Sequence, residues 1–133
     1  NGFRIIKSEG EVAIIATGYC THTALNVYAE LSKAKIAVSV VDVLDFSALS
    51  KPKFAKYLAT KKVVFSIEEG FENAGGLDTK LRAICSRLPN TRFEGFGVSN
   101  GYNFELGTRE ELHEVAGIGL KTVTDKIMKI VEG

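Results

Sequence analysis

Proline, cysteine and histidine are scarce: the 133 residues hold two of each. So little proline argues against disorder and for a compact fold. Cys20 and Cys85 are too few and too far apart for a disulfide framework or a zinc site, and both are expected as reduced thiols. His22 and His113 complete no metal-ligand spacing. Excess charge of one sign is missing too, because 17 Lys and Arg stand against 16 Asp and Glu. The formal net charge of +1 gives no long-range field to attract nucleic acid or an anionic membrane. No stretch approaches the ~20 uninterrupted apolar residues of a membrane span, and the first residues lack the charged-then-apolar order of a signal peptide. A cytoplasmic protein with no nucleic-acid and no membrane partner is the expectation. An initiating methionine is absent as well: the chain opens on Asn1, as a processed chain or a fragment of something longer would.

What is present suits one domain spanning residues 1–133, able to bury roughly two thirds of its unfolded surface in a single sizeable core. An apolar fraction of 45% with 25% charged residues is ordinary for a globular protein. Residues 3–6 (FRII) and 11–17 (EVAIIAT) are β-branched runs joined by a polar connection of hairpin length, and antiparallel pairing is expected between them. The period then changes: Ala24, Leu25, Tyr28 and Leu31 recur at helical spacing, which predicts an amphipathic helix over Thr21–Lys33. Residues 36–43 (IAVSVVDV) read as a strand buried on both faces. Pro52 opens a short helix ending near Thr60, and 62–67 (KVVFSI) forms the next strand. Leu77, Leu81, Ile84 and Leu88 stripe another helix, 92–98 (RFEGFGV) is a strand, and Thr108-Arg109-Glu110-Glu111 is a capping box opening a short helix. Gly117 and Gly119 break that helix before a final one striped by Leu120, Val123, Ile127, Ile130 and Val131. Alternating strands and helices build a parallel sheet through right-handed crossovers. The fold expected is therefore α/β, a three-layer α/β/α unit whose mixed five-stranded sheet has one antiparallel strand.

Ligands of such sheets lie beyond the carboxyl ends of the parallel strands, here residues 18–22, 42–45 and 68–76. A lone Gly18 is not the Gly-x-Gly-x-x-Gly of a dinucleotide site, no phosphate-binding Gly-x-x-x-x-Gly-Lys-Ser/Thr occurs, and Gly18 is expected to make the strand-to-helix turn. Cys20 lies near a helix start, where the dipole favours a thiolate, but His22 two residues on points elsewhere; a small, partly buried thiol is expected. His113 is expected to be solvated. Asp42 and Asp45 are expected to solvate a strand end and cap the following turn. The sharpest feature is "VVFSIEEGFENAGGL", residues 63–77, in which an apolar strand runs into Glu68 and Glu69 and a loop holding Gly75 and Gly76. Adjacent strand residues face opposite ways, so the two carboxylates cannot cooperate as an acid/base dyad. One of them is expected to be tied to backbone or partner donors.

Taken in order, "EVAIIATG", "TALNVYAEL", "IAVSVVDVL", "VVFSIEEGFENAGGL" and "GTREELHEVAGIGLKTVTDKI" resemble the C-terminal domain of the transketolase family, from about Glu11 to Val131. The family includes transketolase, 1-deoxy-xylulose-5-phosphate synthase and the β subunits of 2-oxoacid dehydrogenases. Departures at Ala34-Lys35, Pro52-Lys53-Phe54 and Asp78 blur the subfamily more than the fold. The resemblance implies the same three-layer fold and a parent transferase of carbohydrate metabolism. It implies that thiamine diphosphate and magnesium sit in two preceding domains, through a Gly-Asp-Gly motif, a downstream Asn and a catalytic glutamate that are not found here. This chain would then hold no catalytic, cofactor-binding or metal residues. Its partners would be the thiamine-binding domains or subunit of the same enzyme, within a homodimer. The alternative is a stand-alone small-ligand or anion-binding module using the crevice at the strand ends. Either way, the rim that matters comprises Gly18, Thr21, Glu68, Glu69, Gly75 and Gly76.

Overall fold

A computed structural model describes residues 2–71, 76–98 and 109–132. Along these run β1 (Phe3–Lys7), β2 (Val12–Ala16), α1 (Cys20–Lys33), β3 (Val38–Val43), a 3-10 helix (Phe46–Ser50), α2 (Pro52–Leu58), β4 (Val63–Phe71), α3 (Leu77–Cys85), β5 (Arg92–Val98), α4 (Arg109–Ala116) and α5 (Leu120–Glu132). The strands form one mixed sheet in the order β1-β3-β2-β4-β5. Strands β2 to β5 are parallel and β1 is antiparallel to β3. Helices α1 and α5 cover one face; the 3-10 helix, α2 and α3 cover the other. The three-layer α/β/α architecture read from the sequence is the one adopted.

The expected hairpin of the first two strands does not form. All five residues of β2 are buried, so both its edges go to parallel neighbours, whereas the half-exposed β1 lies at the sheet edge beside β3. The connection between them is fastened to β3: Glu9 N donates to Ser39 Oγ at 2.9 Å, and that hydroxyl donates to the Glu9 carbonyl at 2.7 Å. Lys61 adds a second fastening at this end, donating to the Gly10 carbonyl at 2.8 Å and to Ser39 Oγ at 3.0 Å.

A second difference concerns β4, which continues through Glu68 and Glu69 to Phe71 instead of stopping before them. Its ladder with β5 is regular to Ile67 and shifts before Phe71 pairs with Val98. Strand alternation splits its side chains: Phe65 and Ile67 join Ile14, Val27, Leu31 and Ile127 on one face, while Val64 joins Ile15, Phe54, Leu58 and Leu81 on the other. Glu68 therefore faces α3 and Glu69 faces the α1 layer. Helix α3 ends at Cys85, one turn short of the striped Leu88. Thr108, the first residue of the expected capping box, and Gly75 lie outside the described residues. No described helix is long and apolar enough to cross a membrane.

Phe54 is fully buried and meets Phe3 edge-on, with ring centroids 5.0 Å apart. Phe54→Ala is expected to cost about 3–5 kcal/mol, read from urea unfolding. A loss under about 1 kcal/mol would mean that this face is not a packed core.

Candidate functional site

At the carboxyl end of β2, Thr17 Oγ1 donates to the Val43 carbonyl at 3.0 Å. Gly18 then takes φ +61°, left-handed backbone that a Cβ disfavours, and its carbonyl accepts from Thr21 N at 3.1 Å. This is the strand-to-helix turn the sequence predicts. The turn aims the Thr21 hydroxyl at Asp42 on β3, donating to Oδ1 at 2.9 Å, while Arg4 Nη2 on β1 donates to Oδ2 at 3.2 Å. Asp42 is buried, so it fastens α1 and β1 to β3 instead of solvating a strand end. Asp45 does cap the following turn: its Oδ1 accepts from Ser47 N at 2.9 Å, and that amide holds its carboxyl below the usual range.

Glu68 reaches across to α3. Its Oε1 accepts from Leu77 N at 3.1 Å and its Oε2 from Asp78 N at 2.7 Å, so one carboxylate satisfies two of the orphan amides at the helix start. Gly76, the N-cap residue, has no side chain to cap with. A Cβ there would stand 2.4 Å from Glu68 Oε1, and glycine is what lets the strand carboxylate come this close. Burial pushes the Glu68 carboxyl above its ordinary range, opposed by the same two amides. The helix start that an anion would have used is thus filled from within the chain.

Glu69 points the other way and meets α4. Arg109 grips it in a fork, Nε to Oε2 at 2.9 Å and Nη2 to Oε1 at 2.8 Å. His113 Nε2 lies 2.7 Å from Oε2. Four residues apart on a helix, Arg109 and His113 share a face, and both reach one carboxylate. Tyr19 completes the cluster. Its ring lies 4.3 Å from the Arg109 guanidinium and edge-on to His113, and its hydroxyl donates to Glu110 Oε1 at 2.7 Å. The guanidinium of Arg109, with His113 assisting, holds the Glu69 carboxyl below its ordinary range. Glu69 therefore clasps α4 to the sheet and is a poor proton acceptor, while Tyr19 ties α4 to the head of α1.

His113 is only 4% exposed, which overturns the expectation of a solvated residue. The signal was available in the four-residue step from Arg109 to His113, but only the fold supplies the Glu69 they share. Cys20, the first residue of α1, is fully buried; burial above all, then the Glu69 charge, pushes its thiol up to about 12. Burial likewise pushes Cys85 up to about 11. His22 is exposed, and no Cys–His pair forms. Beside the cluster a cavity of about 300 Å³ opens between Tyr19, His22, Asn26, His113 and Leu120. Among the described residues no group of three or more His, Cys, Asp or Glu could hold a metal ion.

Glu68→Ala leaves two buried amides unpaired and is expected to cost about 1–3 kcal/mol in urea unfolding. Gly76→Ala forces Glu68 off those amides and is expected to cost about 1–2 kcal/mol alone, yet little once Glu68 is Ala; additive losses would refute the shared contact. For Glu69, a depressed folded pKa means stability present above the unfolded carboxyl value of about 4.3 and lost as pH falls through the lower folded one. The stability difference between wild type and Glu69→Gln is expected to be full near pH 6 and to shrink steadily as the pH falls below the unfolded carboxyl value of about 4.3. Neither thiol is expected to react with iodoacetamide at neutral pH until the chain unfolds; fast labelling of Cys20 in the native state would contradict its burial.

Comparison with known proteins places this geometry. The model of the transketolase C-terminal domain matches residues 2–123. A 1-deoxy-D-xylulose-5-phosphate synthase from Clostridium tetani (strain Massachusetts / E88) is 19% identical over 129 residues, 97% of this chain and 21% of that protein. A split-gene transketolase solved as an inactive beta4 tetramer superposes with a TM-score of 0.75 at 26% identity, covering 96% of this chain and 41% of that one. Transketolase from Campylobacter jejuni subsp. jejuni NCTC 11168 superposes at 0.70 with 20% identity, over 97% of this chain and 18% of that one. The chain thus spans less than half the length of each of these relatives. Since the match runs through nearly all of its length, the chain belongs to the family of transketolase C-terminal domains.

Proposed function

We propose that this chain is a single domain, the carboxyl-terminal unit of a thiamine-diphosphate-dependent transketolase-type enzyme of cytoplasmic carbohydrate metabolism. It is either a fragment or a separate subunit, serves assembly, interdomain contacts and regulation, and is not itself catalytic. The observation that carries this reading is the commitment of the rim carboxylates. Asp42 is taken by Thr21 and Arg4, Glu68 by the α3 amides, and Glu69 by Arg109 and His113. Groups so engaged fasten elements together; a general acid or base must be able to exchange its proton with a substrate. Thiamine diphosphate and magnesium then belong to the partner domains or subunit, within a homodimer of the full assembly. That the split-gene relative is a transketolase whose gene is divided supports a separate subunit. The rim of Gly18, Thr21, Glu68, Glu69, Gly75 and Gly76 is on this reading the part that faces the partner.

A small-ligand module is the second reading, favoured by the cavity of about 300 Å³ beside Tyr19 and His22. Calorimetric titration of the chain with thiamine diphosphate and magnesium is expected to give no binding, and submicromolar affinity would sink the leading proposal. Thermal melting across a panel of sugar phosphates separates the two readings, since an assembly domain gives no shift and a ligand module a saturable one.

A further inference from the structure

Across the sheet from the Glu69 cluster, the helical layer exposes charge of one sign. Residues 46–58 and 77–88 carry Lys51, Lys53, Lys56, Lys80, Arg82 and Arg87, and their only carboxylate is Asp78, 2% exposed. In a chain whose formal net charge is +1, such segregation leaves a basic face. Three of these cations, Lys51, Lys80 and Arg87, stand around a groove of about 380 Å³ between the 3-10 helix and α2 on one side and α3 on the other. Its floor is apolar, formed by Leu49, Ala55, Ile84 and Leu88. Among the described residues none of the three cations lies within 4.0 Å of a carboxylate. Asp45 attracts Lys51 only at longer range, and its carboxylate is already held by Ser47 N. Arg82 is occupied, with its guanidinium 5.0 Å from the centre of the Phe93 ring.

An apolar floor under a ring of unpaired cations complements an apolar side chain flanked by carboxylates. Nucleic acid fits less well, because the described lining residues hold no aromatic ring for a base to stack on. Free phosphate fits less well too, since it leaves the apolar floor uncovered and the α3 amides are taken by Glu68. We propose that this groove docks an acidic segment of a partner polypeptide, with an apolar anchor seated on Leu49, Ile84 and Leu88 and its flanking Asp or Glu side chains against Lys51, Lys80 and Arg87. The inference rests on the shape and charge of this face and is independent of the role assigned to the rim.

The test titrates the 15N-labelled chain with a blocked synthetic peptide in which Leu recurs at helical spacing among Glu and Asp. Two control peptides carry Lys for every acid, or Ser for every Leu. The acidic peptide is expected to shift the amide resonances of Ser50, Ala55, Ala83, Ile84 and Arg87 saturably, and both controls to leave them in place. Binding is expected to weaken about tenfold or more in Lys80→Glu/Arg87→Glu, and again when salt is raised to about 0.5 M. Lys51→Glu gives the same direction from the opposite wall of the groove. All three sites are solvent-exposed, so urea midpoints of the variants are expected to match wild type. The proposal falls if the acidic peptide gives no saturable shift, if it shifts other surfaces instead, or if the reversed charges do not weaken it. It falls equally if sedimentation shows wild type self-associating and the double variant not, because the groove would then hold a second copy.

Discussion

A carboxylate can leave water only where donors replace its hydration, and Glu68 does so on the backbone amides that open α3. Much of the strand-end architecture follows from that contact. It joins β4 to the α3 start, demands a residue without Cβ at Gly76, and draws the helix down onto the face shared with Val64. The same device recurs at α5. Glu114 on α4 accepts from Lys121 N at 3.0 Å and from Thr122 N at 3.2 Å, and a Cβ on Gly119 would fall 2.4 Å from its carboxyl carbon. Two helix starts are thus capped by glutamates from neighbouring elements, each admitted by a glycine. Local capping rules look for the cap in the flanking residues, and these caps come from farther away.

The adjacent pair Glu68-Glu69 shows how a strand divides labour. Pleating turns one carboxylate to the α3 layer, where amides hold it, and its neighbour to the α1 layer, where Arg109 and His113 hold it. A pair that in sequence resembles acid/base chemistry becomes two unrelated fasteners on opposite faces of one sheet. The alternation that splits them follows from backbone geometry alone. What each side chain meets depends on which helix is laid over that face.

Polar pairing also organises the two ends of the sheet differently. At the carboxyl ends Asp42, Glu68 and Glu69 each tie a helix or edge strand to the strands. At the opposite end Lys61 ties β4's approach to Gly10 and Ser39. Burial lowers the Lys61 pKa, the expected response of an ammonium withdrawn from water. Charge outside these fastenings is distributed unevenly, with the α2 and α3 layer basic and the first turn of α4 carrying Glu110 and Glu111. A near-neutral total conceals this, because composition sums over faces that the fold keeps apart.

The sequence by itself determined the order of the strands and main helices along the chain, the α/β class, the turn at Gly18 and the divergence of Glu68 from Glu69. Each follows from periodicity, β-branching or glycine placed within a few residues. Tertiary structure alone decided that β3 enters between β1 and β2, because the short connection there is compatible with a hairpin until Ser39 is seen holding Glu9. It alone decided that Asp42 is buried between Thr21 and Arg4, and that His113 leaves solvent for Glu69, 44 residues earlier. Such pairings join residues whose separation along the chain carries no periodic signal. They are chosen by which surfaces the sheet order brings into contact, and by the free-energy cost of leaving a charged group there unpaired.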